Sequence, residues 1–182
     1  MIKKIFKFLF YFLVIIGIGI IYLSYFGVET KRFNQLIENQ ITKKNEEISL
    51  KLESVKFVLN LNNLTVGLKS ENPLVVFEDK KIKLKKIKTN FSLISFLKKE
   101  FSVINLFIET SENKLKDIIS LIRIYQNTPQ IFIFNKFVND GSLIATINLN
   151  FDDKGKINND YNIEGIVKNT KIKLLNQKQL DN

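Results

Sequence analysis

An uncharged run of 21 residues, Phe8 to Val28, follows Lys3, Lys4 and Lys7 at the start of the chain. As a helix rising about 1.5 Å per residue it would extend roughly 31 Å, the thickness of a bilayer's hydrocarbon core. Phe6, Phe8, Phe10, Tyr11 and Phe12 gather at one end and Tyr22, Tyr25 and Phe26 at the other, as aromatic residues do at membrane interfaces. A stretch so uniformly apolar has no face to offer water, which sets it apart from the buried helix of a soluble protein. Three lysines precede the run, whereas Glu29 to Glu47 sets four basic residues (Lys31, Arg32, Lys43, Lys44) against four acidic ones (Glu29, Glu38, Glu46, Glu47). The basic excess predicts a cytoplasmic N-terminus and an exported remainder. A cleaved signal peptide also has a basic start and an apolar middle. Against it stand the length of the run, the lack of a small-x-small site in Ser24 to Gly27, and the absence of Cys for lipid attachment. The reading favoured is an uncleaved anchor over residues 1–28.

About 150 residues remain, enough for one ordinary domain. The net charge of +10 is a weak pointer to any partner, because Lys, Asn, Ile and Phe are abundant throughout, as in chains from AT-rich genomes. No nucleic acid is predicted, since an exported domain would not normally meet it. His and Cys are both missing, which removes imidazole base catalysis, cysteine nucleophiles, His or thiolate metal sites and disulfides. No Gly-x-Ser-x-Gly elbow or glycine-rich phosphate loop is present. No catalytic residue, metal or cofactor is therefore predicted. An exported hydrolase would need convergent carboxylates; Asp152, Asp153, Asp160 and Glu164 are the densest group, and solvation of a turn accounts for them.

After the anchor, Thr30 is positioned to cap a short amphipathic helix with Phe33, Leu36, Ile37 and Ile41 on one face, ending near Lys43 and Lys44. Within this segment, 29–47, the helix either lies on headgroups or plugs the end of a β-layer. From Ile48 the period becomes two. Ile48, Leu50 and Leu52 alternate with polar residues, the phase slips near Ser54 as at a bulge or bend, and Val55, Phe57, Leu59 and Leu61 resume. Asn62 and Asn63 mark a turn before Leu64, Val66 and Leu68, and Pro73 opens Leu74 to Phe77, so a meander is predicted. Lys80, Lys81, Lys83, Lys85, Lys86 and Lys88 then interleave with Ile82, Leu84 and Ile87, either as an anionic-lipid patch or as the wet face of an edge strand.

Ser92 can cap a short helix, Leu93 to Lys99, and Phe101 to Ile108 reads as strand. A second helix is predicted for Leu115 to Tyr125, with Leu115, Ile118, Ile119 and Ile122 on one face and Pro129 fixing its end. Ile131 to Phe137 is apolar, and Asn139, Asp140 and Gly141 read as a turn. Leu143, Ala145, Ile147, Leu149 and Phe151 then share a face, Asp153 to Gly155 turns, and Ile157, Tyr161, Ile163, Gly165 and Val167 share the returning face. Ile172 and Leu174 predict one further strand before the polar tail 176–182. The class is α+β, mainly β: one transmembrane helix, a short amphipathic helix, then a curved antiparallel sheet with two short covering helices. Either two layers pack tightly, or the sheet leaves an apolar trough; periodicity does not separate these.

The order of these pieces resembles the N-terminal region of AsmA-like proteins, of the bridge-like lipid-transfer group. The resemblance runs through FNQLIENQITKKNEEISLKLESVKF, then NPLVVFEDKKIKLKKIKTNFSLISFLKKEFSVINLFIE, then GSLIATINLNFDDKGKINNDYNIEGIVKNTKIKL with its family-like "fd-kGki-yxixG" turn. It implies a Gram-negative inner-membrane protein whose periplasmic domain, 48–175, carries phospholipid acyl chains in a β-groove. The groove-lining positions it implies are Ile48, Leu50, Leu52, Phe57, Leu59, Leu143, Ala145, Ile147, Leu149, Phe151, Tyr161 and Ile163, with Lys83, Lys85, Lys86 and Lys88 as candidates for headgroup contact. Family members are several times longer, so the resemblance implies a truncated relative, an N-terminal piece of a longer reading frame, or one subunit of a split conduit. Its open C-terminal edge would pair with further groove segments or another envelope protein. The alternative reading is a bitopic envelope scaffold or outer-membrane-protein assembly factor that works by strand addition.

Overall fold

The computed structural model describes residues 2–97, 102–152 and 154–172. Its first element, α1 (Ile2–Tyr25), has 24 residues and is about 36 Å long. It is long and apolar enough to cross a membrane and is not buried against the rest of the protein. The helix stops short of the end of the apolar run. The Phe26 and Gly27 N–H groups both bond to the Tyr22 carbonyl, at 2.9 and 3.3 Å, and Val28 already opens β1 (Val28–Thr30). Gly27 has φ +68°, and a Cβ there would lie 2.5 Å from the Phe57 carbonyl oxygen and 2.9 Å from Val58. Only glycine lets the chain leave the helix so close to the sheet.

The juxtamembrane helix begins later than predicted, as α2 (Asn34–Lys44). Thr30 instead ends β1 opposite Val55, and its hydroxyl accepts the Arg32 N–H at 3.1 Å. The Asn34 side-chain amide donates to the Leu52 and Glu53 carbonyls at 2.8 and 3.1 Å, and Glu38 accepts the Leu52 N–H at 2.8 Å. These bonds satisfy the backbone where the chain leaves β2 (Ile48–Lys51) for β3 (Val55–Asn60). The phase slip near Ser54 is thus a bend at which the chain changes strand partners.

β3, β4 (Thr65–Glu71), β6 (Lys80–Ser92), β7 (Val103–Thr110), β9 (Val138–Asn150) and β10 (Asn162–Ile172) extend β1 into an antiparallel sheet in the order β1-β3-β4-β6-β7-β9-β10. β5 (Leu74–Phe77) joins β2 to the start of β6, and the short β8 (Asn113–Lys114) pairs with β9. The predicted α+β, mainly β class is what the structure has, but the sheet is open and uncurled where a curved one was expected. In β6, Leu84 faces Thr110 while Lys86 faces Glu109, so Lys85 is an extra residue in a bulge. The bulge keeps Ile82, Leu84 and Ile87 on one face although their spacing changes from two to three.

That face is covered at one end. Ile48, Phe77, Ile82 and Leu84 form a buried cluster, packed against Ile87 and Ile108 of the sheet and Ile118, Leu121 and Ile124 of α4 (Leu115–Tyr125). Leu115, Ile119 and Val138 form a second, with Ile131 and Leu143 against it. Ile122, predicted on the buried face of α4, is exposed. Ser92 caps the short α3 (Leu93–Leu97) by accepting the Ser95 N–H at 3.4 Å.

Three expectations need correction. Pro129 does not merely end α4; with Thr128 capping Ile131 N–H at 3.4 Å, it opens another helix, α5 (Pro129–Phe137). Asn139, Asp140 and Gly141 belong to β9 rather than to a turn. Ile172 ends β10 instead of starting a further strand, and Phe101, Leu174 and the tail lie outside the described residues.

Replacing Gly27 by Ala is expected to cost more than about 1 kcal/mol, since it forces both a left-handed φ and a steric overlap. Gly19→Ala, with nothing within 4 Å of the added Cβ, leaves the melting temperature in detergent unchanged. Ile82→Ala removes a side chain only 1% exposed and lowers stability by about 2–5 kcal/mol in the same melts.

Candidate functional site

The register of the sheet assembles a site that no single strand displays. Val28 pairs with Phe57, Phe57 with Leu68, Leu68 with Thr89, Thr89 with Leu106 and Leu106 with Leu149. Directly opposed residues point to the same face of a sheet. A ladder of apolar side chains, interrupted only by Thr89, therefore crosses six strands, from the end of the membrane-length helix to β9. Five strand spacings make this about 24 Å. A parallel row follows on the same face, where Ile87, Ile108, Ile147 and Ile163 stand opposite one another.

Of the predicted groove residues, Phe57, Leu59, Ala145, Ile147, Leu149 and Ile163 lie on this face. The first five are half-buried and belong to neither core cluster; Ile163, on the edge strand, is 60% exposed. Phe33 stacks edge-on against Phe57 at 5.1 Å and covers one corner. Leu143 packs instead against the second cluster. Phe151 bridges to Ile157 past the end of β9, and Tyr161 lies just before β10 and is exposed.

Ile48 and Leu50 are corrections to the groove. Both are buried in β2, and Ile48 belongs to the filled core. They sit on the small β2-β5 layer, so the strand change at Ser54 separates them from the ladder. Leu52 falls in the bend between β2 and β3 and lines a shallow cleft of about 400 Å³ with Lys51, Pro73 and Lys83. Residues that sequence reasoning missed are Val28, Val66, Leu68 and Leu106, with Ile87 and Ile108 where the face meets the first core cluster. Each is apolar in a period-two strand, but only the register shows that they adjoin.

The lysines divide. Lys83 lines the cleft beside Leu52. Lys85 bonds Glu109 at 2.6 Å, and that partnership raises the Lys85 pKa above its ordinary value and lowers that of Glu109. Lys86 stands in register between Glu71 and Glu109, and Lys88 lies over the Phe107 ring at 5.7 Å, both on the face opposite the ladder. There, Lys56, Lys69 and Lys88 stand directly opposite one another in three successive strands. Such like-charge neighbours repel. Lys69 is relieved by Glu71 at 2.6 Å, which in turn holds the Glu71 carboxyl below the usual glutamate range.

Of the acidic group considered for hydrolysis, Asp152 closes a turn, while Asp160 and Glu164 bond to neighbouring asparagines. Asp152 accepts the Lys154 and Lys156 N–H groups at 2.9 and 2.8 Å, Asp160 accepts from Asn150 at 3.0 Å, and Glu164 from Asn162 at 2.9 Å. Asp153 lies outside the described residues, and among those described no cluster of His, Cys, Asp or Glu could hold a metal ion.

No protein-family model, curated protein or solved structure matches this chain.

A carboxyl titration followed by NMR checks the charge arrangement. In Lys85→Gln the Glu109 midpoint is expected to rise toward an ordinary glutamate, while Glu71, held by Lys69, stays low. Because the folded pKa of Glu109 is depressed, its contribution to stability is present above the unfolded value and is lost as pH falls through the folded one.

Proposed function

We propose that this chain is a single-pass inner-membrane protein of a Gram-negative envelope. Its periplasmic domain receives phospholipid acyl chains from the bilayer and holds them along the apolar face of its sheet, as one segment of a path toward the outer membrane. The observation that carries this reading is the ladder from Val28 to Leu149, which begins three residues beyond the end of α1. An acyl chain crossing water loses about 0.8 kcal/mol per exposed CH₂, and an apolar row broken only at Thr89 offsets most of that cost over about 24 Å. The lysine distribution around the anchor supports the orientation, with the N-terminus in the cytoplasm.

A second reading rests on β10. Its outer edge has no partner strand among the described residues, and Ile163, Ile166 and Val167 are all more than half exposed, on both faces of the strand. Such an edge suits strand addition by another envelope protein, as a scaffold or assembly factor would use it.

Photocrosslinking of the full chain in cells separates the two. A benzophenone side chain replacing Leu106 or Leu149 is expected to yield phospholipid adducts, and one replacing Asn148, on the opposite face, is not. Equal capture at both positions, or protein adducts alone at Leu106 and Leu149, would sink the lipid path. Protein capture confined to Ile166 would leave the edge as the site of action.

A further inference from the structure

Helix α5 buries none of its residues. Ile131 alone is packed against a core cluster, and the next three side chains, Phe132, Ile133 and Phe134, are 41%, 51% and 50% exposed. Three consecutive residues span about 200° of a helix's circumference, so this element shows water an apolar surface on more than one side. Its cations gather on the same surface. The Arg123 guanidinium of α4 lies 5.2 Å from the centre of the Phe132 ring and the Lys136 ammonium 4.9 Å from it. Neither pairs with a carboxylate among the described residues, and Arg123 Nε is buried without a hydrogen-bond partner.

We infer that α5 is a second membrane contact, seated in the headgroup layer of the same bilayer that holds α1, with Arg123 and Lys136 engaging anionic lipid phosphates. Exposed Phe and Ile flanked by unpaired Arg and Lys are what an interfacial helix needs: apolar side chains reach the acyl boundary and the cations remain at headgroup level. The fold puts α5 over the β9 end of the sheet, five strand spacings from β1. It packs with α4, through the cluster containing Leu143, on the face that carries the ladder starting at Val28. Three side chains are too few to capture a membrane from solution, but α1 tethers the domain at its surface and makes the second contact intramolecular. The inference rests on α1 being a membrane anchor, and it competes with a path leading away from the bilayer, because it holds the β9 end of the ladder at the membrane.

The chain has no Trp, so Ile133→Trp introduces a single reporter at a half-exposed position. The full-length variant is reconstituted into phosphatidylcholine–phosphatidylglycerol vesicles, with Lys81→Trp, on an exposed lysine of β6, as control. Vesicle flotation reads the anchor separately, and a melt matching the parent shows that each variant is folded. The indole of the Ile133→Trp variant is expected to emit at shorter wavelength than that of the control and to dim about twofold when the host vesicle carries brominated acyl chains. Adding Arg123→Gln and Lys136→Gln should weaken the quenching, as should omitting phosphatidylglycerol. Emission like that of an indole in water, from protein that floats with its vesicles, would overturn the second contact and leave the anchor intact. Short-wavelength emission that brominated lipid does not quench would also overturn it, because α5 would then be covered by protein, such as a second copy of the chain. Failure to float would remove the anchor and this inference together.

Discussion

The bulge at Lys85 is what allows one strand to serve two layers. The first residues of β6, Lys80 to Lys83, pair with β5, and Lys86 onward pairs with β4, while β7 runs along the other edge. Without an extra residue at that point, alternation would turn Ile87 away from the side that Ile82 and Leu84 occupy. With it, the buried cluster under α4 and the open rows beyond share one surface. The Lys83 N–H donates to the Asn113 side chain at 2.7 Å, and Asn113 donates back to the Lys83 carbonyl at 2.8 Å. This exchange fixes the strand beside its bulge and secures the start of α4.

Much of the architecture was legible because it depends on local periodicity. The bounds of α4, Leu115 to Tyr125, follow from its apolar spacing, and the Asn62–Asn63 turn holds through the Asn60 side chain, which accepts both N–H groups at 3.1 and 3.3 Å. What could not be read is pairing. Ile48 and Leu50 alternate just as Phe57 and Leu59 do, yet they lie in different layers, because α2 reaches back through Asn34 and Glu38 to stabilise the bend between them. The helical fate of Ile131 to Phe137 was hidden for another reason: Pro129 is as good at starting a helix as at ending one, and Thr128 decides which.

The two faces of the sheet differ in how their side chains are satisfied. On the ladder face, apolar residues meet one another and, at one end, α4. On the reverse face, a run of lysines is held apart by carboxylates at intervals: Glu71 beside Lys69, and Glu109 beside Lys85. Surface pairs of this kind add little stability. Their effect is on identity, since they keep the polar face wet and leave the opposite face as the extended apolar surface that crosses the strands.

The close passage at Gly27 removes any swivel between α1 and the sheet. A domain on a flexible linker can turn freely above a membrane, but here the helix end touches β3 with no intervening loop. Were α1 its only seat in a bilayer, the sheet would behave as a lever whose angle is set by the tilt of its stem. The far edge at β10 lies about 29 Å from β1, so a change of roughly 10° in helix tilt swings it about 5 Å. Hydrophobic mismatch, one cause of such tilts, would thereby become a mechanical input to where the distal strand is presented.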